Sequence, residues 1–136
     1  MKPSIATLII LVLSFAGCNT ETKKNEPRKA AKKEANMYLA AYSGGYTIEV
    51  NGLGTTRDVE LYVLAENGKA QWMHLRTNGA KEPDVLSRKY GTWTAKKSYL
   101  KIMIDGNTGQ LIEEYEMRNG VFYNNESSDR YLKKAK

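Results

Sequence analysis

The chain has 136 residues, 41% hydrophobic and 26% charged, with a formal net charge of +6 and 11 Gly against 3 Pro. That balance excludes collagen-like, coiled-coil and wholly disordered chains, and the length leaves room for one domain. A single Cys excludes a disulfide scaffold and a Cys-built zinc site, and a single His excludes a His-based metal cluster.

Met1-Lys2 is a minimal positive n-region, and Ile5 to Ala16 is a twelve-residue apolar run. A bilayer span takes about 20 residues, so this run has the length of a signal h-region. It ends in Ser14-Phe15-Ala16-Gly17-Cys18, which resembles the bacterial lipobox, small residues followed by the only Cys. The resemblance implies that residues 1–17 are a lipoprotein signal peptide, that cleavage falls between Gly17 and Cys18, and that Cys18 is acylated on its sulfur and its new amine. At about 0.8 kcal/mol per buried CH₂, three acyl chains would hold the protein almost permanently on a membrane. Asn19 stands where Asp would suggest inner-membrane retention. The expected location is therefore the cell envelope, as an outer-membrane lipoprotein on the periplasmic face or the cell surface.

Residues 18–41 read as a lipid-anchored basic tether with a short helix. Residues 19–34 hold six bases against three acids, most of the basic excess of the mature chain. Anionic headgroups attract juxtamembrane bases by about 1 kcal/mol each. Nucleic-acid binding would instead place bases on the folded domain, interleaved with aromatics, so no nucleic-acid partner is expected. Glu26-Pro27 can open a helix. Ala31, Ala35, Tyr38, Leu39 and Tyr42 then form one apolar stripe, and Ser43-Gly44-Gly45 ends it, which predicts a helix over 28–41.

From Tyr46 onward short apolar alternation is punctuated by turn pairs. Asn51-Gly52, Asn67-Gly68, Asn78-Gly79 and Asn119-Gly120, with Asp105-Gly106 beside them, predict type I′ hairpins, whose two central residues need positive φ. Between them lie Tyr46 to Val50, Val59/Leu61/Val63, Trp72 and Leu75, Leu86 to Trp93, Leu100/Ile102/Ile104, Leu111 to Met117, Val121 to Tyr123 and Arg130 to Leu132. About eight closely spaced strands without intervening helices predict an all-β antiparallel barrel or sandwich over residues 42–136. A barrel of that size is either filled by side chains or holds one small ligand.

Asn67-Gly68-Lys69-Ala70-Gln71-Trp72 and Tyr90-Gly91-Thr92-Trp93, followed by Leu100-Lys101-Ile102, resemble the N-terminal domain of NlpE-type lipoproteins, called copper-resistance or copper-homeostasis lipoproteins. Tyr42-Ser43-Gly44-Gly45-Tyr46 resembles that family's opening stretch, and the match runs over about residues 42–104. The resemblance implies a small lipocalin-like β-barrel on the outer membrane, with a role in envelope stress or surface sensing. Family members carry a Cys-x-x-Cys after the first strand, where this chain reads Val50-Asn51-Gly52-Leu53-Gly54, and the resemblance implies their N-terminal domain alone, without the usual second one. Fold transfers from such a likeness more safely than a metal or signalling role.

His74 with Met73, Met103 or Met117 offers soft donors for Cu(I), but Met73 and His74 alternate across a strand, and a structural His is the expectation. No metal and no cofactor is expected. Trp72, Trp93 and Tyr90 are the aromatics that either line a ligand mouth or pack in the core. Glu113, Glu114 and Glu116 flank Tyr115 and read as a solvated face. The glycines lack the spacing, Lys and helix of a phosphate loop, and no Ser has an elbow motif. The expected function is non-enzymatic: partner binding or envelope-stress sensing at the membrane. The alternatives are carriage of a small apolar ligand and, weakest, metal binding.

Overall fold

The structure, a computed structural model, describes residues 28–50, 54–79 and 81–136. The signal segment, Cys18, the tether up to residue 27 and the Asn51-Gly52 turn lie outside the described residues. The chain divides into two compact units, 1–34 and 35–136. In the first, residues 28–34 are helical and exposed. The helix, α1, runs through residues 28–42, so its last two turns fall in the second unit. Its last turn is closed by Ser43 N–H donating to the Leu39 carbonyl at 3.0 Å and Ser43 Oγ donating to the Ala40 carbonyl at 3.0 Å. Gly44, at φ 131°, then turns the chain into the first strand.

Eight antiparallel strands follow: β1 (Gly44–Val50), β2 (Thr56–Leu64), β3 (Lys69–Asn78), β4 (Asp84–Lys96), β5 (Tyr99–Gly106), β6 (Gly109–Arg118), β7 (Val121–Asn124) and β8 (Tyr131–Lys134). Each pairs with its neighbour in sequence, and β8 returns to β1 to close a barrel. The protein is thus an all-β, eight-stranded antiparallel barrel with a short N-terminal helix. The last strand lies slightly later than the Arg130–Leu132 segment that the sequence suggests.

Strand alternation sends one face of every strand inward. Tyr46 and Ile48, Tyr62 and Leu64, Ala70, Trp93 and Ala95, Leu100, Ile102 and Ile104, Tyr115, Phe122 and Leu132 form one buried cluster, with a contribution from each of the eight strands. In β2 the inward face is the opposite of the apparent apolar one. Tyr62 and Leu64 are buried, which turns Val59, Leu61 and Val63 outward. Charge on the inward side is accommodated because a partner waits inside, as described below.

The turns also differ from expectation. Among the described residues only Asn119-Gly120 has positive φ at both positions (51° and 81°), the type I′ signature. At Asn67-Gly68 the Gly alone is left-handed. Gly68 N–H donates to the Ala65 carbonyl at 3.0 Å and Ala65 N–H to the Lys69 carbonyl at 2.9 Å, giving a longer hairpin loop closed by a glycine bulge. Asp105-Gly106 ends β5 instead of forming the turn, which passes to Asn107-Thr108 between the paired Gly106 and Gly109. At Asn78-Gly79 only Gly79 has positive φ, and a loop rather than a tight hairpin leads to β4.

Gly91 sets how closely β4 and β5 approach. A Cβ there would fall onto the Met103 carbonyl oxygen and within 2.9 Å of Ile104 Cα, so only glycine lets β4 and β5 approach this closely. At one end of the barrel Tyr38, Leu39 and Tyr42 pack against the core. Tyr42 meets the Phe122 ring edge-on at 5.0 Å, and its backbone carbonyl accepts the Tyr46 hydroxyl at 2.8 Å. That end is closed. The other end is open and polar.

Candidate functional site

The open end is built from inward positions where alternation has run out of apolar residues. Continuing β2 from Leu64 and Tyr62 gives Glu60 and Asp58, and continuing β3 from Ala70 gives Trp72, His74 and Arg76. β6 adds Glu113 two residues from Tyr115, and Arg130 enters just before β8. Glu60 pairs with His74 and Tyr62 with Trp72 across the ladder, so the sheet itself sets these groups side by side.

Arg130 is the hub. Its Nη1 and Nη2 donate to the two Glu60 oxygens at 3.1 and 2.6 Å, a bidentate grip, and its Nε donates to Glu113 Oε1 at 2.9 Å. Nη2 also reaches the Tyr62 hydroxyl at 3.0 Å. Tyr62 and Tyr115 donate to Glu113 Oε2 at 2.6 and 2.8 Å, and Trp72 Nε1 donates to Glu60 Oε2 at 3.0 Å. The Arg130, Glu60 and Glu113 side chains are 25%, 16% and 13% exposed. Among the described residues no buried side-chain nitrogen or oxygen lacks a partner.

The titration shifts follow from this packing. Burial alone would push the Glu60 carboxyl up, but hydrogen bonds from Arg130, Trp72 and Tyr62 outweigh it and hold the carboxyl below its ordinary range. Burial, reinforced by the nearby carboxylates, pushes the Tyr62 and Tyr115 phenols well above theirs. Burial works against the Arg130 guanidinium, yet Glu60 and the surrounding acids raise it. Every shift moves away from neutrality. Glu60 is held as the carboxylate, Arg130 as the guanidinium, and the two tyrosines as neutral phenols.

A second ion pair sits at the rim. Arg76 grips Asp58 through Nε at 2.8 Å and Nη2 at 3.1 Å, and His74 Nε2 lies 3.3 Å from Asp58 Oδ2. The Arg76 hydrogen bond, more than the imidazole, lowers the Asp58 carboxyl. His74 faces this acid, whereas Met73 is on the opposite face, paired with Leu61 and Arg88. Among the described residues no group of three or more His, Cys, Asp or Glu is placed to hold a metal ion.

The three aromatics singled out from the sequence part company. Trp93 is 1% exposed and wholly within the core, its Nε1 donating to the Ala65 carbonyl at 2.8 Å. Tyr90 is 60% exposed on the outside of β4. Trp72 alone borders the polar end, with Lys89 Nζ 5.4 Å from its ring centre. Glu113 corrects the reading of residues 113–116 as one solvated face, because it turns inward with Tyr115. Glu114 and Glu116 do lie outside, beside Lys101 and Arg118. Sequence reasoning missed Glu60, Tyr62, Tyr115 and Arg130. A detectable signal existed in β2 and β3, where Asp58/Glu60 and His74/Arg76 continue the same alternation as buried Tyr62 and Ala70.

Within the open end the space beside Trp72, Lys89, Ile104 and Leu111 is only about 40 Å³. That is room for about one water, not for the several hundred Å³ of a ligand site. Larger spaces are open ones: about 550 Å³ at the rim by Glu49, Arg57 and Thr77, and about 350 Å³ between Tyr42 and β7–β8. Outside the barrel three cross-strand rows run over β2, β3 and β4: Val59–Leu75–Val85, Leu61–Met73–Arg88 and Val63–Gln71–Tyr90. Val63, Val85 and Tyr90 are 38%, 50% and 60% exposed, so this outer face is apolar and open. No family model matches the chain, and neither the curated proteins nor the solved structures contain a match to it.

Proposed function

We propose that the chain is an outer-membrane lipoprotein, anchored through Cys18, whose barrel serves without catalysis as a binding module for an envelope protein. The observation that carries this reading is the filled interior. Seven of the eight strands bury large or medium side chains in one core, β3 adds Ala70 with Trp72 packed against it, and the polar end is occupied by its own ion pairs. A carrier of an apolar ligand needs the opposite, a hollow lined cup. Binding capacity then resides on the outside, and the rows over β2–β4 supply it: exposed apolar and aromatic groups with Arg88 among them, the composition of an interface core. The lipobox supports the membrane address. The likeness of residues 42–104 to NlpE-type lipoproteins supports the envelope role, without the metal chemistry that a Cys-x-x-Cys would supply.

Photo-crosslinking groups placed at Met73 and Tyr90 in living cells should give one discrete adduct. The same group at Thr94, on the outer face of β4 nearer the closed end, should not, and Leu61→Asp should abolish the adduct while the barrel stays folded. An environment-sensitive apolar dye bound one-to-one by the purified chain and displaced by a fatty acid would reject the interaction module in favour of a carrier.

A further inference from the structure

The barrel has two electrically different ends. Strand direction sorts the charges: the β2–β3, β4–β5 and β6–β7 turns and the end of β8 lie at the closed end, with Tyr38, Leu39 and Tyr42, and the remaining connections lie at the open end. Residues 35–136 hold 14 bases and 12 acids, a difference of only two. Assigned to the nearer end, with central Glu60 counted beside its partner Arg130, they separate into eight bases and three acids at the closed end and six bases and nine acids at the open end. The side-chain charge is therefore +5 at one end and −3 at the other.

Five of the eight closed-end bases are free to meet a partner. Lys69, Lys96, Lys97, Lys134 and Lys136 are exposed, and none forms an ion pair among the described residues. Apolar surface accompanies them. Met37, one turn before Ala41, is 56% exposed, and the groove of about 350 Å³ between Tyr42 and β7–β8 runs out beside Lys133 and Lys134. Cations beside a shallow apolar groove match the two-part chemistry of a phospholipid surface, phosphate outside and hydrocarbon behind it.

We propose that the closed end seats on an anionic lipid surface, leaving the Arg130–Glu60–Glu113 end directed away from the membrane. The proposal rests on the anchored reading above, since the chain leads from Cys18 into α1 and so into this end. It adds an orientation. An acyl anchor alone lets the barrel tumble on its tether, whereas each base within a Debye length of the surface adds about five-fold to the seated population.

The full chain, reconstituted on vesicles of phosphatidylglycerol with phosphatidylcholine and on phosphatidylcholine alone, is acetylated briefly and each lysine is read by mass spectrometry. Lys96 and Lys97 should be slowed about three-fold or more on the anionic vesicles at low salt, with Lys81 and Lys89 unchanged. In about 1 M salt, where the Debye length is about 3 Å, the protection should vanish. In the Lys96→Glu/Lys97→Glu chain Lys69 and Lys134 should lose their protection too. Equal rates on the two vesicles, protection at Lys81 instead, or equal protection by soluble polyphosphate would each overturn the proposal. If the wild-type chain washes off phosphatidylcholine vesicles, the anchored reading falls by itself. The basic end is then judged on phosphatidylglycerol vesicles at low salt against vesicle-free protein, and unprotected Lys96 and Lys97 there overturn it.

Discussion

Replacing Arg130 by Met keeps an apolar stem reaching as far as the Arg Nε position but withdraws the guanidinium from two carboxylates. Glu60 loses both of its bonds to Arg130, at 3.1 and 2.6 Å, and Glu113 loses one at 2.9 Å. Glu60 keeps Trp72 and Glu113 keeps two tyrosines, so neither acid is orphaned, but both remain charged and face one another without a cation. Breaking a fully buried pair costs about 3–5 kcal/mol, and a surface pair is worth about 0–1 kcal/mol. With side-chain exposures of 13–25%, this cluster sits nearer the buried limit, and we expect a loss of about 2–4 kcal/mol at pH 7. The pH dependence then reverses. In the wild type the lowered Glu60 carboxyl contributes stability above its unfolded pKa that is lost as pH falls through its folded value. In the variant Glu60 keeps its burial but loses the Arg130 bonds that lowered it, so its carboxyl rises, and acidification from pH 7 towards 5 should protonate it and return part of the loss. Urea unfolding of both chains at the two pH values measures this. A loss under about 1 kcal/mol, within the range of ordinary surface substitutions, or a variant that weakens in parallel with the wild type on acidification, would refute the electrostatic account.

Trp93→Ala removes a ring that is 1% exposed and should cost about 3–5 kcal/mol in urea unfolding, leaving a domain of about 5–15 kcal/mol close to its limit. Its lost Nε1 bond matters less, because the Ala65 carbonyl still accepts Gly68 N–H at 3.0 Å. Gly91→Ala forces a methyl onto the Met103 carbonyl and should destabilise by about 3 kcal/mol or more, while Thr92→Ala next to it, on the exposed face, should shift the urea midpoint little. Cys18→Ser should release the protein from the membrane fraction. Continued sedimentation with membranes after a high-salt wash would refute the anchor.

The strands were legible because they are local. Leu100/Ile102/Ile104 is buried at each alternate step, and its neighbours Lys101 and Met103 are half-buried on the other side, the pattern that period two predicts. The polar cluster was not legible, because its stability depends on residues brought together only by closure of the sheet. Glu60 is tolerated inward only because Arg130, 70 residues later, arrives in the same space. Read alone, β2 offers a stronger stripe in Val59, Leu61 and Val63, and the competing signal, Asp58 and Glu60 in step with Tyr62 and Leu64, looks like a solvated face until Arg130 is placed beside it. Turn type was similarly beyond the dipeptide. Asn-Gly supplies positive φ cheaply, but loop length decides whether the Asn uses it, and at residues 67–68 the Asn instead accepts a bond from Lys69 N–H at 3.0 Å.

The joint between β1 and β8 has a consequence for how the barrel is made. Every other strand pairs with its chain neighbour, so seven hairpin-like steps need only short loops to close. The joint itself pairs Tyr46 with Lys134 and Thr47 with Lys133, helped by Thr47 Oγ1 donating to the Lys133 carbonyl at 3.3 Å across 86 residues and by Ala135 N–H donating to the Gly45 carbonyl at 2.9 Å. Without its final strand the same sheet would have two unpaired edges, at β1 and β7. Loss of the last strand would leave the hairpins able to form but the ring unmade, a species that adds strands from other copies at both edges.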